Sequence, residues 1–363
     1  MNELKNIFAF LFALLIVSAC SGQTDSGSNP VLSADRLSID LADHQEVALK
    51  VEFGGRDVTA SSVIRVDDEE LEGGIFVPEC GGIYTLVAEF EGKFSDPIEV
   101  TVWHSAPQVE SAYEKHVCVV EFTGAWCINC PDGFNKMMGM LSTPSMDRRK
   151  DRIHFLAFHS DAEGVDTLAH ESTQDLKILF PKAKDFPAYV VDFRPSTSGL
   201  LTGEGLSQFL DAVSDALDAV HPVYCGVAVS SAVADGGDRA SITVKVRSEY
   251  TNPFTVVVAV VQNRIEGFQK TSMFPEGQDD YAHLHVVRDI VTSYGNTFSG
   301  EKITDDGYIR AGEEVVKSFE VEIDDRWVLE DTMVYAMVLD INGCVNNMNV
   351  CNMAGGDSEF AVK

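Results

Sequence analysis

Apolar and polar positions follow three different rhythms along the 363 residues. Between Val31 and Trp103 short runs with a period near two are separated by turn signals. Val47 to Phe53 is followed by Gly54-Gly55 and Ile83 to Phe90 by Glu91-Gly92, with Ile75 to Pro78 and Ile98 to Trp103 completing the set. That pattern predicts strands packed as a β-sandwich. From His104 to about His221 the rhythm changes. Apolar strands at Val117 to Phe122, Ile153 to Phe158 and Ala188 to Phe193 alternate with helical stretches at Asp132 to Leu141, Thr167 to Phe180 and Glu204 to Val220. The last stretch puts Leu206, Phe209, Leu210, Val213, Leu217 and Val220 on one face. Alternating strands and helices predict an α/β layer. From Pro222 to Lys363 strands return, at Ser241 to Arg247, Thr255 to Gln262 and Val334 to Ile341, the last running into the hairpin dipeptide Asn342-Gly343. A second β-sandwich is expected there.

The N-terminus sets the compartment. Ile7 to Val17 is an unbroken apolar run of 11 residues, too short for a helix to span about 30 Å of hydrocarbon, and reads as a signal-peptide core. Val17-Ser18-Ala19-Cys20 resembles the lipobox of bacterial lipoproteins, which implies that Cys20 becomes the lipidated first residue after cleavage. Ser21 to Pro30 is polar and rich in Gly and Ser, as a flexible tether would be. The expected organisation is therefore a signal peptide (1–19), a tether (20–30), a β domain (31–104), an α/β domain (105–221) and a C-terminal β-sandwich (222–363). Export puts the cysteines where disulfides persist.

Composition adds two exclusions. Hydrophobic residues at 45% and charged residues at 23% are ordinary for a globular chain and exclude a largely disordered one. With 27 Lys and Arg against 57 Asp and Glu the net charge is −30, which repels phosphate backbones and anionic headgroups. Nucleic acid is excluded as a partner, and membrane contact is expected through the lipid anchor only.

Candidate chemistry lies in Glu121 to Pro131 (EFTGAWCINCP), where a strand runs into Trp126-Cys127-Ile128-Asn129-Cys130-Pro131 and a helix begins inside the motif. The helix N-terminus stabilises a thiolate on Cys127, while Cys130, one turn later, stays protonated. Cys127 can then attack a disulfide and Cys130 can resolve the mixed species. Zinc would need two further ligands at short spacing, and none follows within this segment. An inert structural disulfide is the remaining alternative.

The segment from about 110 to 221 resembles a thioredoxin-like domain, of which W-C-x-x-C-P after a strand is a distinctive motif. That resemblance implies three further roles. Glu121, six residues before Cys127, would relay a proton to Cys130. Pro187, after Phe186 and before a strand, would take the place of the cis-proline that aligns substrate. Trp126 would shield the site. Gly82 to Val102 is similar to the last strands of bacterial immunoglobulin-like domains. The whole chain is similar to a family of lipid-anchored outer-membrane proteins named after a twenty-eight-kilodalton member, through the E-F-T-G-x-x-C-x-x-C-P run and through Gln262 to Gln269 and His283 to Arg288. The fold class expected is thus an α/β thioredoxin-like fold flanked by an N-terminal immunoglobulin-like β-sandwich and a C-terminal β-sandwich. The location implied is a lipid-anchored place at the outer membrane, periplasmic or surface-facing.

Other residues invite chemistry and are weighed against packing. His283-x-His285, with Glu276, Asp279 and Asp280 upstream, has the look of a metal pair, but a packing role is favoured and no metal is expected. Met137, Met138 and Met140 could line a peptide groove, and core filling is favoured. Asp161 to Asp166 reads as a solvated loop. Of the cysteines other than Cys20, Cys127 and Cys130, Cys118 reads as a buried thiol; Cys80 and the pairing of Cys225, Cys344 and Cys351 stay open. A Cys344–Cys351 hairpin disulfide and an Asn342-Gly343 turn exclude each other, and the turn is preferred.

Two functions follow. The first is thiol-disulfide exchange on exported proteins, with Cys127 as nucleophile, Cys130 resolving, a redox-recycling partner and no dissociable cofactor. The second is an envelope binding or assembly protein in which the α/β unit is only a scaffold.

Overall fold

The computed structural model of the chain describes residues 29–41, 46–67, 69–78, 81–103, 111–292 and 299–363. The segments expected to be signal peptide and most of the tether, with Cys20, and also Cys80, lie outside those residues.

Contacts divide the chain into two compact units. The first comprises residues 1–35, 48–75 and 85–98 and, where described, is built from antiparallel strands. Val31–Ala34 pairs with Val47–Phe53 from Val31 opposite Glu52 to Ala34 opposite Leu49, and Val63–Val66 pairs with residues 86–89. In Val47–Phe53 the buried residues Leu49 and Val51 alternate with exposed Lys50 and Glu52, the period-two pattern of a strand with one wet face. The chain reverses at Gly54 and Gly55, whose φ of 57° and 74° are conformations that glycine adopts freely.

The second unit comprises residues 36–47, 76–84 and 99–363 and centres on one nine-stranded sheet. Its order is Gly199–Leu200, Ala188–Val191, Val117–Thr123, Ile153–His159, Val286–Ile290, Thr255–Gln262, Thr332–Leu339 and Val345–Asn352, with Glu301–Lys302 beside Thr255–Gln262. Strands dominate, and among the described residues only four α-helices occur: α1 Cys130–Leu141, α2 Pro144–Asp147, α3 Thr173–Ile178 and α4 Glu204–Leu217.

This corrects the expected fold class. The chain is mostly β, and an α/β thioredoxin-like fold standing between two separate β-sandwiches is not what forms. The cause lies in Ile153–His159. Six of its seven residues are buried, and a buried strand needs backbone partners on both sides. Val117–Thr123 pairs with one side in parallel. The C-terminal part supplies the other: the Ala157 N–H donates to the His285 carbonyl at 2.7 Å, and Ala157 stands opposite Val286. Strands from both halves of the unit thereby form one sheet.

The sheet also curls. Cys118 Sγ lies 3.7 Å from Met337 Sδ, although three strands separate theirs in the sheet order. The enclosed face carries Cys118, Val120 and Phe122 together with Val257, Ala259 and Met337. On the outer face, α1 and α4 cover Val117, Val119 and Phe155, whereas the three-stranded sheet of Cys225–Val233, Arg239–Ser248 and Glu314–Glu322 covers Val256, Val258 and Val260. A buried ion pair holds the curl. Lys115 Nζ lies 3.0 Å from Asp192 Oδ2 and donates to the carbonyls of Val345 and Asn346 at 3.0 and 2.9 Å.

Smaller expectations change as well. The helical stretch Thr167 to Phe180 is helix only over Thr173–Ile178, because the Asp166 carboxylate binds the Leu168 N–H at 2.9 Å and holds a turn there. Asp166 is itself buried, not part of a solvated loop. Helix α4 ends at Leu217, so Val220 lies beyond it, exposed, and does not share the buried face. Asn342-Gly343 does form the turn between the last two strands of the sheet, with Gly343 at φ 71°. Cys118, Cys225, Cys344 and Cys351 are buried free thiols.

Candidate functional site

Parity along Val117–Thr123 decides what Glu121 can reach. Val117 and Val119 face α1 and α4, while Cys118, Val120 and Phe122 face the enclosed core. Two residues after Val119, Glu121 therefore points to the side of α1. The chain leaves the strand through Gly124 and Ala125, and α1 starts at Cys130 with Pro131 in its first turn, where a missing N–H costs nothing.

Cys127 and Cys130 form a disulfide with a Cα separation of 5.4 Å. Both residues are buried, Cys127 at 5% exposed and Cys130 at 1%. Behind Cys130 lies a cavity of about 30 Å³, lined by Glu121, Cys130, His159, Gln269, Tyr281 and His283 among others. It has room for about two waters. Burial raises the Glu121 carboxyl to about 8. Near neutral pH Glu121 is thus a protonated acid beside the inner cysteine. Burial, then the neighbouring Glu121, raise the Tyr281 phenol. Burial and His159 lower His283 to about 4 and keep it neutral.

Trp126 and Pro187 frame the motif. The Trp126 indole N–H donates to the Ser160 carbonyl at 2.7 Å, and its ring meets Phe186 edge-on at 5.2 Å. Glycines make room for it: a Cβ on Gly164 would lie 2.7 Å from Trp126 Cβ. The Phe186–Pro187 peptide is cis. The Pro187 carbonyl accepts the Leu201 N–H at 3.0 Å, and the ring rests on Gly133 in the first turn of α1, where a Cβ would come within 2.7 Å of Pro187 Cγ and 3.2 Å of Leu201 Cβ. Gly133→Ala is accordingly expected to destabilise the chain by about 1–3 kcal/mol through overpacking, read as a lower denaturant midpoint at unchanged slope.

The sequence-predicted residues Glu121, Trp126, Cys127, Cys130 and Pro187 are brought to one place. Its other wall comes from 142 to 145 residues later in the chain, a loop closure whose cost grows only slowly with length. The hairpin Ile265–Gln269 and Gln278–His283 lies against the motif. The Lys270 N–H donates to the Ala125 carbonyl at 2.8 Å, and Gln269 Nε2 donates to the carbonyls of Cys127 at 3.1 Å and Gly124 at 3.3 Å. Sequence reasoning missed Gln269 and Tyr281, since a single Gln or Tyr in a strand carries no periodic or motif signal. It also missed the buried His159–Asp166 pair, Nδ1 to Oδ2 2.7 Å. Burial opposes ionisation of Asp166, but His159 and the Ala125 and Leu168 N–H groups outweigh it and hold the carboxyl below its ordinary value.

The two imidazoles weighed as a metal pair diverge. His283 meets His159 and Tyr281 edge-on, each at 5.0 Å, whereas His285, at φ 55°, packs against Phe155 at 5.3 Å. Among the described residues no group of three or more His, Cys, Asp or Glu converges as a metal set. Met137 fills the core under α1.

Residues 222–358, the part that supplies the hairpin, match the family described as Outer membrane protein Omp28, so the C-terminal part is similar to an outer-membrane protein family. Among solved structures the chain is similar to HBP35 of Porphyromonas gingivalis, with 18% identity and a TM-score of 0.52 over 68% of this chain and 77% of that one. At that identity the likeness concerns the fold alone. A structural-genomics protein of Agrobacterium tumefaciens aligns with 13% identity and a TM-score of 0.41, over 70% of this chain and 99% of that one. No curated protein matches the sequence.

Proposed function

We propose that the protein is a cell-envelope lipoprotein, anchored through Cys20 at the outer membrane, that exchanges thiols and disulfides with exported polypeptides at Cys127 and Cys130. The observation that carries this reading is the position of the Cys127–Cys130 disulfide on a cavity shared with the buried acid Glu121. A structural crosslink has no use for a buried carboxylic acid behind its inner sulfur, whereas an exchanging one does.

A substrate thiolate attacks Cys127 Sγ, a mixed disulfide forms, and Cys130 leaves as a thiolate that takes the Glu121 proton through the cavity. A second substrate thiolate then attacks the substrate sulfur of the mixed disulfide. Cys127 leaves as a thiolate and takes a proton from water, the substrate becomes a disulfide, and the pair is left as a dithiol, to be reoxidised by a recycling partner that takes two electrons while two protons return to Glu121 and water. Run backwards, the same steps reduce a substrate disulfide, with Cys127 as nucleophile and Cys130 resolving. Which direction operates depends on the reduction potential of the pair against that of the partner.

Cys127→Ser is expected to abolish exchange with a soluble aryl disulfide after reduction of the protein, and Cys130→Ser to trap a mixed disulfide on Cys127. The check is mass spectrometry of the protein after incubation with the aryl disulfide. A reduced wild-type protein whose Cys127 remains unmodified at neutral pH would overturn the exchange reading and leave the site a structural crosslink.

A further inference from the structure

A second and larger cavity of about 280 Å³ opens between the Val165–Leu168 loop and residues 266–268 of the hairpin; it shares His283 with the Glu121 cavity, and Ala125, two residues before Cys127, lines it. Ala125, Asp166 and His283 are among its lining residues, and Val165 and Phe268 border it. Both are solvent-facing: Val165 is 84% exposed and Phe268 40%. Large apolar side chains left in water around a concave surface mark a binding site more often than chance exposure does.

The borders are held in place before anything binds. Gly277, at φ 104°, packs so close to the Phe268 ring that a Cβ there would overlap it. The hairpin end is closed by the Gly277 N–H on the Phe274 carbonyl at 3.0 Å and the Phe274 N–H on Thr271 Oγ1 at 2.9 Å. Asp166 holds the opposite loop by accepting the Ala125 N–H at 2.7 Å and the Leu168 N–H at 2.9 Å. Ala125 ties both walls to the motif, since its carbonyl receives the Lys270 N–H. A preorganised pocket loses little entropy on binding. Farther along the hairpin, Met273 and Phe274 are exposed too.

Charge narrows the occupant. Exposed Asp161 and Glu163 precede Val165, and exposed Glu266, Glu276, Asp279 and Asp280 lie along the hairpin, against Arg264 and Lys270 as the basic residues of the same segments. On a chain of net charge −30, such a rim repels acidic partners, a second copy of this chain included, and attracts basic ones.

We infer that the cavity between Val165 and Phe268 seats an apolar side chain of an extended, basic polypeptide, and so selects exchange substrates in which a large apolar residue and Lys or Arg lie near the reacting cysteine. This deepens the exchange reading and rests on it for its purpose, but the binding can be measured without any redox step. Phe268 and Val165 act here as specificity residues. They touch the substrate chain and not the reacting sulfurs.

The test uses the full chain with its Cys127–Cys130 disulfide intact and fluorescein-labelled octapeptides that lack cysteine. One carries a central Leu-Phe between lysines, a second replaces Leu-Phe with Ser-Ser, and a third replaces the lysines with Glu. Saturable binding of the first by fluorescence anisotropy is expected, with Kd raised about tenfold by Phe268→Ser or Val165→Ser, as expected for losing much of one buried apolar contact. The Ser-Ser and Glu peptides should bind at least as much more weakly, and the penalty for Glu should shrink in 0.5 M salt as rim charges are screened. Thermal unfolding of both variants, whose changed side chains are exposed, should match wild type. Absence of saturable binding, equal Kd for wild type and both variants, or equal affinity for the Ser-Ser or Glu peptide would overturn the inference. The aryl-disulfide assay separates the two readings. Exchange without peptide discrimination removes this inference alone, and peptide discrimination with an unreactive Cys127 removes the exchange reading alone.

Discussion

Lys115→Ala is expected to lower the stability of the folded chain by about 3–5 kcal/mol, the cost of stripping a buried charge of its partner. Lys115 and Asp192 have side chains only 4% and 3% exposed. The ammonium is triply engaged, by Asp192 at 3.0 Å and by the carbonyls of Val345 and Asn346. Asp192 in turn accepts the Cys118 N–H at 3.0 Å, and its carbonyl takes the Val345 N–H at 2.9 Å. The substitution leaves a carboxylate buried without its cation and two carbonyls short of a donor. These contacts join the start of Val117–Thr123 to the start of Val345–Asn352, so the damage should fall on the curl of the sheet. Hydrogen exchange should show both strands losing protection together. Lys115→Met keeps most of the volume but not the charge, and should cost about as much. A loss below about 1 kcal/mol in both variants would mean that the pair does not hold the curl.

Glu121→Gln should produce the second large effect, and its sign depends on pH. Glu121 sits at about 8 in the folded chain against an ordinary 4.5. Between those values the unfolded chain has released the proton and the folded chain has kept it, so stability at this group falls as pH rises. The contribution is fully present below pH 4.5, is lost progressively up to about pH 8, and stays lost above. At about 1.4 kcal/mol per pH unit across that interval, the loss is on the order of several kcal/mol. Gln cannot ionise. The difference in unfolding free energy between Glu121→Gln and wild type should therefore move in favour of the variant from pH 5 to 8 and then level off. The net charge of −30 weighs on both proteins and largely cancels in the difference. Exchange should move in the other sense. The variant keeps the disulfide but offers no proton to Cys130, so its rate should fall and the inflection near pH 8 should vanish. Parallel stability curves for the two proteins would show that Glu121 is not the buried acid described.

Legibility differed between the site and the fold. Glu121, Trp126, Cys127, Cys130 and Pro187 could be named because each belongs to a local pattern: a strand, a two-residue spacing at a helix start, a proline entering a strand. Local patterns act over a few residues and survive without knowledge of the rest of the chain. The strands themselves were readable for the same reason. What failed was the expected fold class, because strands from both halves of the second unit share one sheet. A largely apolar strand such as Ile153–His159 reveals that it is buried, but its composition does not say which strand lies beside it. Gln269 and Tyr281 were hidden for a related reason. Their relevance rests on pairing within a hairpin and on that hairpin's contact with a loop over a hundred positions away.

By itself, then, the sequence determined the acidic character of the chain, the strand and helix rhythm, and the two cysteines at a helix start, since charge, periodicity and spacing are properties of neighbours along the chain. Only the tertiary structure decided the rest. It joined the two halves of the second unit through Ala157 and Val286, buried Lys115 against Asp192, and closed Glu121 into a cavity with Tyr281 and His283. The physical reason is that desolvation belongs to a place in space: a carboxyl on an apolar strand is an ordinary acid until residues from elsewhere in the chain remove its water.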